Sequence, residues 1–297
     1  GATLGEYLQA EGAGEDGDAQ MDDDDDDDDD DEKEKVPEPS FVASMVRAFW
    51  AMSARGGPLP ALRDWGTMAK TLGADRQGMA EEEQALLANL LAASAKMGAQ
   101  LAAPQDGKAK LSAKALVEQT AQRKALTAAV LDKLPALLKK YAAHTAPHGG
   151  IALCLLELPG CLDLADATSN KAKAKKLIDA LCHCFTRHVD DALLEAGATA
   201  LGVFANPEED HNARTEAEAI VAKLCESQCA KLVDLLDEAE AALDDGAAAD
   251  DADREFNLCI TLRRILVLCK AMDLTALTGD KRSGLQAALC KMVAARA

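Results

Sequence analysis

Cys182, His183, Cys184 and His188 stand close together, with Cys225 and Cys229 later in the chain. Thiols and imidazoles at such short range raise the question of zinc, which structural sites bind through a CxxC-type spacing that brings two thiolates to one tetrahedral ion. Cys182 and Cys184 are only two apart in a segment that reads as helix, which sets them about 200° apart around its axis, and they cannot easily share a metal. Cys225 and Cys229 do share a helix face, but it is the face that carries the apolar stripe. These residues read as core positions, and no metal is expected. A catalytic Cys and His pair is the other chemistry these types allow, yet the chain has no nucleophile elbow, Gly-rich phosphate loop or HExxH motif. No catalytic residue, cofactor or small-molecule substrate is expected.

Basic clusters are the stronger signal. Lys171, Lys173, Lys175 and Lys176 open a helix, Lys139 and Lys140 end another, Lys108, Lys110 and Lys114 flank a loop, and Arg263 with Arg264 interrupts the most apolar stretch. Contact with phosphate needs clustered positive charge and little else. Any one cluster also reads as the ordinary solvated side of a helix. Stacking platforms for single strands are missing: there are nine aromatic residues, Tyr7 lies in an acidic tail, and the rest are isolated apart from Phe49 and Trp50. The expected nucleic-acid mode is therefore duplex backbone binding without sequence readout, through Lys139, Lys140, Lys171, Lys173, Lys175, Lys176, Arg263 and Arg264.

The elements that must position these residues are helices. After Ser40 the apolar residues recur at three and four positions, and no segment alternates as a strand does. Breakers separate the helices at Gly56 to Pro60, Gly73 to Gly78, Pro104 to Gly107, Pro147 to Gly150, Asp166 to Asn170, Asn206 and Pro207, Asp244 to Asp253 and Gly279 to Gly284. About ten helices result. One apolar face runs through Leu177, Leu181, Phe185 and His188, and another through Val221, Leu224, Gln228, Leu232 and Leu235. Glu255 to Met272 carries apolar residues nearly all round, which predicts a central, buried helix. Antiparallel pairs of roughly 40 residues without exact repeats fit an all-α, HEAT-like α-α superhelix, a solenoid of helix pairs. A compact bundle is the alternative, but ten helices exceed what a four-helix bundle buries.

The 297 residues carry a net charge of -19, with 48% apolar and 28% charged content. That charge is unevenly placed. Residues 1–40 hold 18 acids against Lys33 and Lys35, whereas residues 41–297 hold 33 acids against 30 bases and are nearly neutral. Ten consecutive aspartates, Asp22 to Asp31, repel one another and cannot bury apolar surface, so 1–40 is expected to be a disordered acidic segment and 41–297 the helical repeat region. The acidic segment reads as a solvated spacer or loop insertion, or as a patch that binds basic tails or screens a DNA-facing surface. Removing Gly1 to Lys35 is expected to leave the melting temperature unchanged in a thermal denaturation, because the segment has no core to contribute. No apolar run reaches the roughly 18 residues of a membrane span, and nine cysteines with no export signal read as reduced thiols of an intracellular protein. The chain starts at Gly1, which reads as a fragment of a longer protein.

Several stretches together resemble one family, the stromal antigen (STAG/SA) subunit of cohesin. They are LRDWGTMAKTL at Leu62 to Leu72, EEEQALLANLLAASAK at Glu81 to Lys96, KLPALLKKY at Lys133 to Tyr141, LLELPGCLDL at Leu155 to Leu164, LIDALCHCFTRHVDDALLEAGATALGVFA at Leu177 to Ala205, and EFNLCITLRRILVLCKAMDL at Glu255 to Leu274. All occur in the family's order, and they correspond to the middle of its solenoid. Asp166, Ala167 and Thr168 depart from the family pattern, as do the loops at Asp244 to Asp253 and Thr278 to Gly284. The resemblance implies a non-enzymatic, nuclear, chromosome-associated scaffold. Its implied partners are the kleisin subunit, through it the SMC ring, and duplex DNA or chromatin without sequence specificity, in sister-chromatid cohesion. A HEAT/armadillo-type scaffold of another pathway, such as a nuclear transport receptor or trafficking adaptor, is the alternative.

Overall fold

The computed structural model describes residues 39–53, 60–74, 79–100, 113–142, 150–206, 213–244 and 252–272. Expectations for 1–38, for Lys108 and Lys110 and for the breakers at 279–284 fall outside these residues. All regular structure among the described residues is helical. The α-helices are α1 (Pro39–Ser53), α2 (Trp65–Gly73), α3 (Glu81–Gln100), α4 (Ala113–Val130), α5 (Leu134–Tyr141), α6 (Gly150–Glu157), α7 (Leu164–Ala167), α8 (Lys171–Arg187), α9 (Asp191–Ala205), α10 (Arg214–Asp244) and α11 (Ala252–Ala271). Short 3-10 turns occupy Pro60–Arg63 and Leu158–Cys161.

Side-chain caps fix where several helices start. The Asp64 carboxylate accepts from the Thr67 N–H at 3.0 Å, Asn170 accepts from Lys173 at 3.2 Å, and Asp190 accepts from Leu193 at 3.2 Å. Each cap satisfies a backbone donor that has no partner inside its helix. The break at His188, Val189 and Asp190 has no glycine or proline to announce it, so breakers alone do not reveal it; the Asp190 cap is what starts α9 there. Two further breaks, at 131–133 and 158–161, also lie between the expected ones.

The helices form two rows. In one row α2 packs on α5, α5 on α8 and α8 on α10; in the other α3 packs on α6, α6 on α9 and α9 on α11. Partners across the rows, α2 with α3, α5 with α6, α8 with α9 and α10 with α11, are consecutive in sequence. This is the expected solenoid of helix pairs, with α1 packed on α3 and α4 added against α2 and α3. The core runs continuously along the stack, from Trp50, Trp65, Leu72 and Leu91 through Tyr141, Leu155 and Phe185 to Leu201, Phe204 and Leu268. At Gly197 an added Cβ would stand 3.1 Å from the Phe185 ring, so the missing side chain is what lets α9 close on α8.

Two predicted faces are observed. Leu177, Leu181, Phe185 and His188 are all buried, and Val221, Gln228 and Leu232 are buried with Leu224 and Leu235 half-buried. The expectation for Glu255 to Met272 is corrected. Ile260, Ile265, Val267 and Leu268 are buried, but Phe256 is 55% exposed and Leu266 is 54% exposed. Helix α11 is the last described element, and α9 and α10 cover one side of it. Hydrophobicity around a helix does not by itself supply neighbours on every side.

Candidate nucleic-acid interface

The eight basic residues singled out in the sequence divide into a clamped set and a solvent-facing set. Arg264 belongs to the first. It is 7% exposed, and one guanidinium nitrogen donates to the Thr186 carbonyl at 2.6 Å and the His188 carbonyl at 2.9 Å. These carbonyls end α8, where the helix leaves acceptors without partners and its dipole favours a cation. Burial lowers the Arg264 pKa, and no phosphate reaches a guanidinium placed there.

Lys140 is clamped in the same way. Its half-buried ammonium donates to the carbonyls of Leu72 and Ala74 at 3.2 and 3.3 Å, at the end of α2, beside the Tyr141 hydroxyl that donates to the Leu72 carbonyl at 3.0 Å. Two further members of this set carry no sequence signal. Lys133 donates to the Gly66 carbonyl at 2.9 Å, and Arg123 donates to the carbonyls of Gly160 and Cys161 at 3.2 and 3.4 Å. In all four cases a cation closes backbone acceptors of another part of the stack. Their partners lie 37 to 78 residues away, so no local spacing marks them.

The remaining residues face solvent. Lys139, Lys171, Lys173, Lys175, Lys176 and Arg263 are exposed. Lys139 stands apart from the α8 group. Lys173, near the start of α8, pairs with Asp132, just before the start of α5, so the two helices run the same way and Lys139 sits at the far end of α5. The distance along α5 is about 10 Å at 1.5 Å per residue.

Lys173, Lys175 and Lys176 fan across the outward side of α8, and Lys171 is exposed at its first position. At 100° per residue, Lys176 falls near the middle of the exposed face, opposite the buried Ala174, Leu177, Ile178 and Leu181. Lys173 and Lys175 fall on its two flanks. Their ion pairs agree with this placement: Lys173 meets Asp132 beside α5 at 2.8 Å, and Lys175 meets Glu216 of α10 at 3.5 Å. Arg263 pairs with Asp191 at 3.1 Å. Exposed pairs of this kind contribute at most about 1 kcal/mol and exchange readily for another anion. Asp179 lies on the same outward face one turn beyond Lys176, which confines the basic patch to the first two turns of α8.

The cysteines considered for zinc lie in or beside the core. Cys184 and Cys225 are buried and Cys182 and Cys229 half-buried. Burial pushes the Cys184 thiol up to about 11 and those of Cys182 and Cys225 to about 12. Thiols held neutral in this way are poor nucleophiles and poor metal ligands. His183 is exposed. His188 is buried, and desolvation lowers its pKa. Among the described residues, no three His, Cys, Asp or Glu side chains are grouped to hold a metal ion, and no helix is long and apolar enough to cross a membrane.

Comparison with known proteins places this arrangement. The family model described as "Cohesin subunit SCC3/SA, HEAT-repeats domain" matches residues 53–286. Cohesin subunit SA-3 of Homo sapiens is 30% identical over 222 residues, covering 72% of this chain and 17% of the relative. The Mus musculus SA-3 subunit is 28% identical over 225 residues, covering 72% and 17%. Cohesin subunit SA-1 of Xenopus laevis is 25% identical over 244 residues, covering 78% and 18%. The chain thus spans less than a fifth of the length of these relatives.

Proposed function

This chain belongs to the cohesin SCC3/SA HEAT-repeat family, and from that premise we propose that it is a scaffold segment of the cohesin complex that binds the kleisin subunit and supports association with duplex DNA. The observation that carries this reading is the collinear match over 53–286, which takes in α2 to α11. A stack of helix pairs offers a long continuous surface on which an extended partner segment can spread. The scaffold needs no catalytic residue, metal or small-molecule substrate. Its SMC partners are reached through the kleisin, and its place is the nucleus, on chromosomes.

The DNA half of the proposal rests on α8. Four lysines in its first two turns, with no acid in the first turn, oppose the positive end of the helix dipole and repel one another. They are unfavourable for the helix itself. Phosphate backbones would relieve that repulsion, and the exposed partners Asp132 and Glu216 give way at little cost.

The kleisin half is tested by co-purification. The chain is expected to retain a kleisin subunit of cohesin through a wash at physiological salt, and to do so equally when Lys171, Lys173, Lys175 and Lys176 are all changed to Glu. A chain that folds but retains no kleisin sinks the scaffold assignment.

A further inference from the structure

A lysine faces outward at nearly the same level on each of the four helices of one row. On α2, α5, α8 and α10 these are Lys70, Lys139, Lys176 and Lys223, all exposed. Each stands two residues from a buried residue on either side, as Lys139 does between Leu137 and Tyr141 and Lys223 between Val221 and Cys225. Two residues turn a helix by about 200°, so each lysine points away from the core. Contacts between neighbouring helices fix the levels. Lys133 meets the Gly66 carbonyl at 2.9 Å and Tyr141 meets the Leu72 carbonyl at 3.0 Å. Helices α2 and α5 therefore run the same way, and Lys139, two before Tyr141, stands level with Lys70, two before Leu72. The Lys173 to Asp132 pair at 2.8 Å sets Lys139 level with residue 180 of α8, and the Lys175 to Glu216 pair at 3.5 Å sets Lys223 level with residue 182. At 1.5 Å per residue the four lysines fall within about 9 Å along the helix axes. Three helix-to-helix steps of about 8 to 10 Å spread them over about 25 to 30 Å across the row.

We propose that these four lysines form one band that receives the backbone of a duplex laid across the row, along the direction in which the helix pairs stack. The band deepens the DNA half of the proposed function and rests on it. Lys70 and Lys223 belong to no cluster in the sequence, because the band is assembled from residues 69, 37 and 47 positions apart. Its length approaches one duplex turn of about 34 Å, whereas a duplex laid along α8 would leave Lys70, two helices away, out of contact. None of the four has an ion pair among the described residues, so phosphates displace no carboxylate from them. Lys173 and Lys175, by contrast, are already paired. Asp179 also faces outward, between Lys176 and the level of Lys139, and is an acid that a duplex on this band must pass. Contact of this kind positions the backbone and reads no sequence.

The test is the salt dependence of binding to a mixed-sequence duplex of about three turns. It compares the intact chain, Lys70→Glu combined with Lys223→Glu, and Arg47→Glu combined with Lys270→Glu. The two double variants change the net charge equally, and Arg47 and Lys270 are exposed on α1 and α11, outside the row. The Lys70 and Lys223 variant is expected to bind more weakly, with a slope of log Kobs against log salt shallower by about 1 to 2. The Arg47 and Lys270 variant should stay within about 0.5 of the intact chain, and Asp179→Lys should steepen the slope by about 1. If the intact chain binds with a salt-dependent slope but the Lys70 and Lys223 variant matches it, or loses no more than the Arg47 and Lys270 variant, the band is overturned and α8 alone carries the DNA. If the intact chain shows no salt-sensitive binding, the DNA half of the proposed function fails and the band falls with it.

Discussion

Replacing Arg264 with Ala is expected to lower stability by about 2 to 5 kcal/mol, although arginine is ordinarily a surface residue. The loss comes from the Thr186 and His188 carbonyls, which the guanidinium caps at 2.6 and 2.9 Å inside the stack. Each buried acceptor left unpaired costs about 1 to 3 kcal/mol. Arg264→Lys should recover only part of the loss, because the lysine side chain is one atom shorter than the path to the guanidinium nitrogen that meets both carbonyls. Urea denaturation measures the change, and hydrogen exchange should locate it in the last turn of α8. A variant that unfolds with the parent midpoint would mean that the α11 to α8 clamp does not stabilise the stack.

Phe204→Ala is the second large effect, expected at about 3 to 5 kcal/mol, since deletion of a fully buried aromatic removes its transfer energy and leaves a cavity. Phe204 is 0% exposed on α9, the helix that meets α6, α8, α10 and α11. Phe256→Ala is its internal control. The same deletion on α11, at a position 55% exposed, should cost less than about 1 kcal/mol. Thermal and urea melts of the two variants separate a half-covered α11 from one buried all round, for which the two losses would be similar.

That contrast also marks what is legible in the sequence. Helical class and the buried faces of α8 and α10 follow from spacing within a single helix, and Leu177, Leu181, Phe185, Val221 and Leu232 all take their predicted places. The extent of burial around α11 depends on which neighbours arrive, and Phe256 and Leu266 have the same residue types as core positions. Spacing cannot distinguish them. The candidate interface divides for a similar reason. Lys140 and Lys139 are adjacent in sequence, yet one turns inward to the end of α2 and the other faces solvent. Arg263 and Arg264 separate in the same way, one paired with the exposed Asp191 and the other buried against α8. Which cation is clamped depends on a carbonyl supplied from a distant part of the chain.

The outward-facing lysines of α8 carry the most direct functional commitment. The measurement is the salt dependence of duplex DNA binding, taken for the intact chain and for a variant in which Lys171, Lys173, Lys175 and Lys176 are all Glu. Each phosphate that the protein no longer neutralises takes roughly one unit from the slope of log Kobs against log salt. Weaker binding by the variant is expected, with a slope shallower by about 2 to 4. Identical affinity and slope for the two proteins would contradict the assignment of α8 as the DNA-facing element.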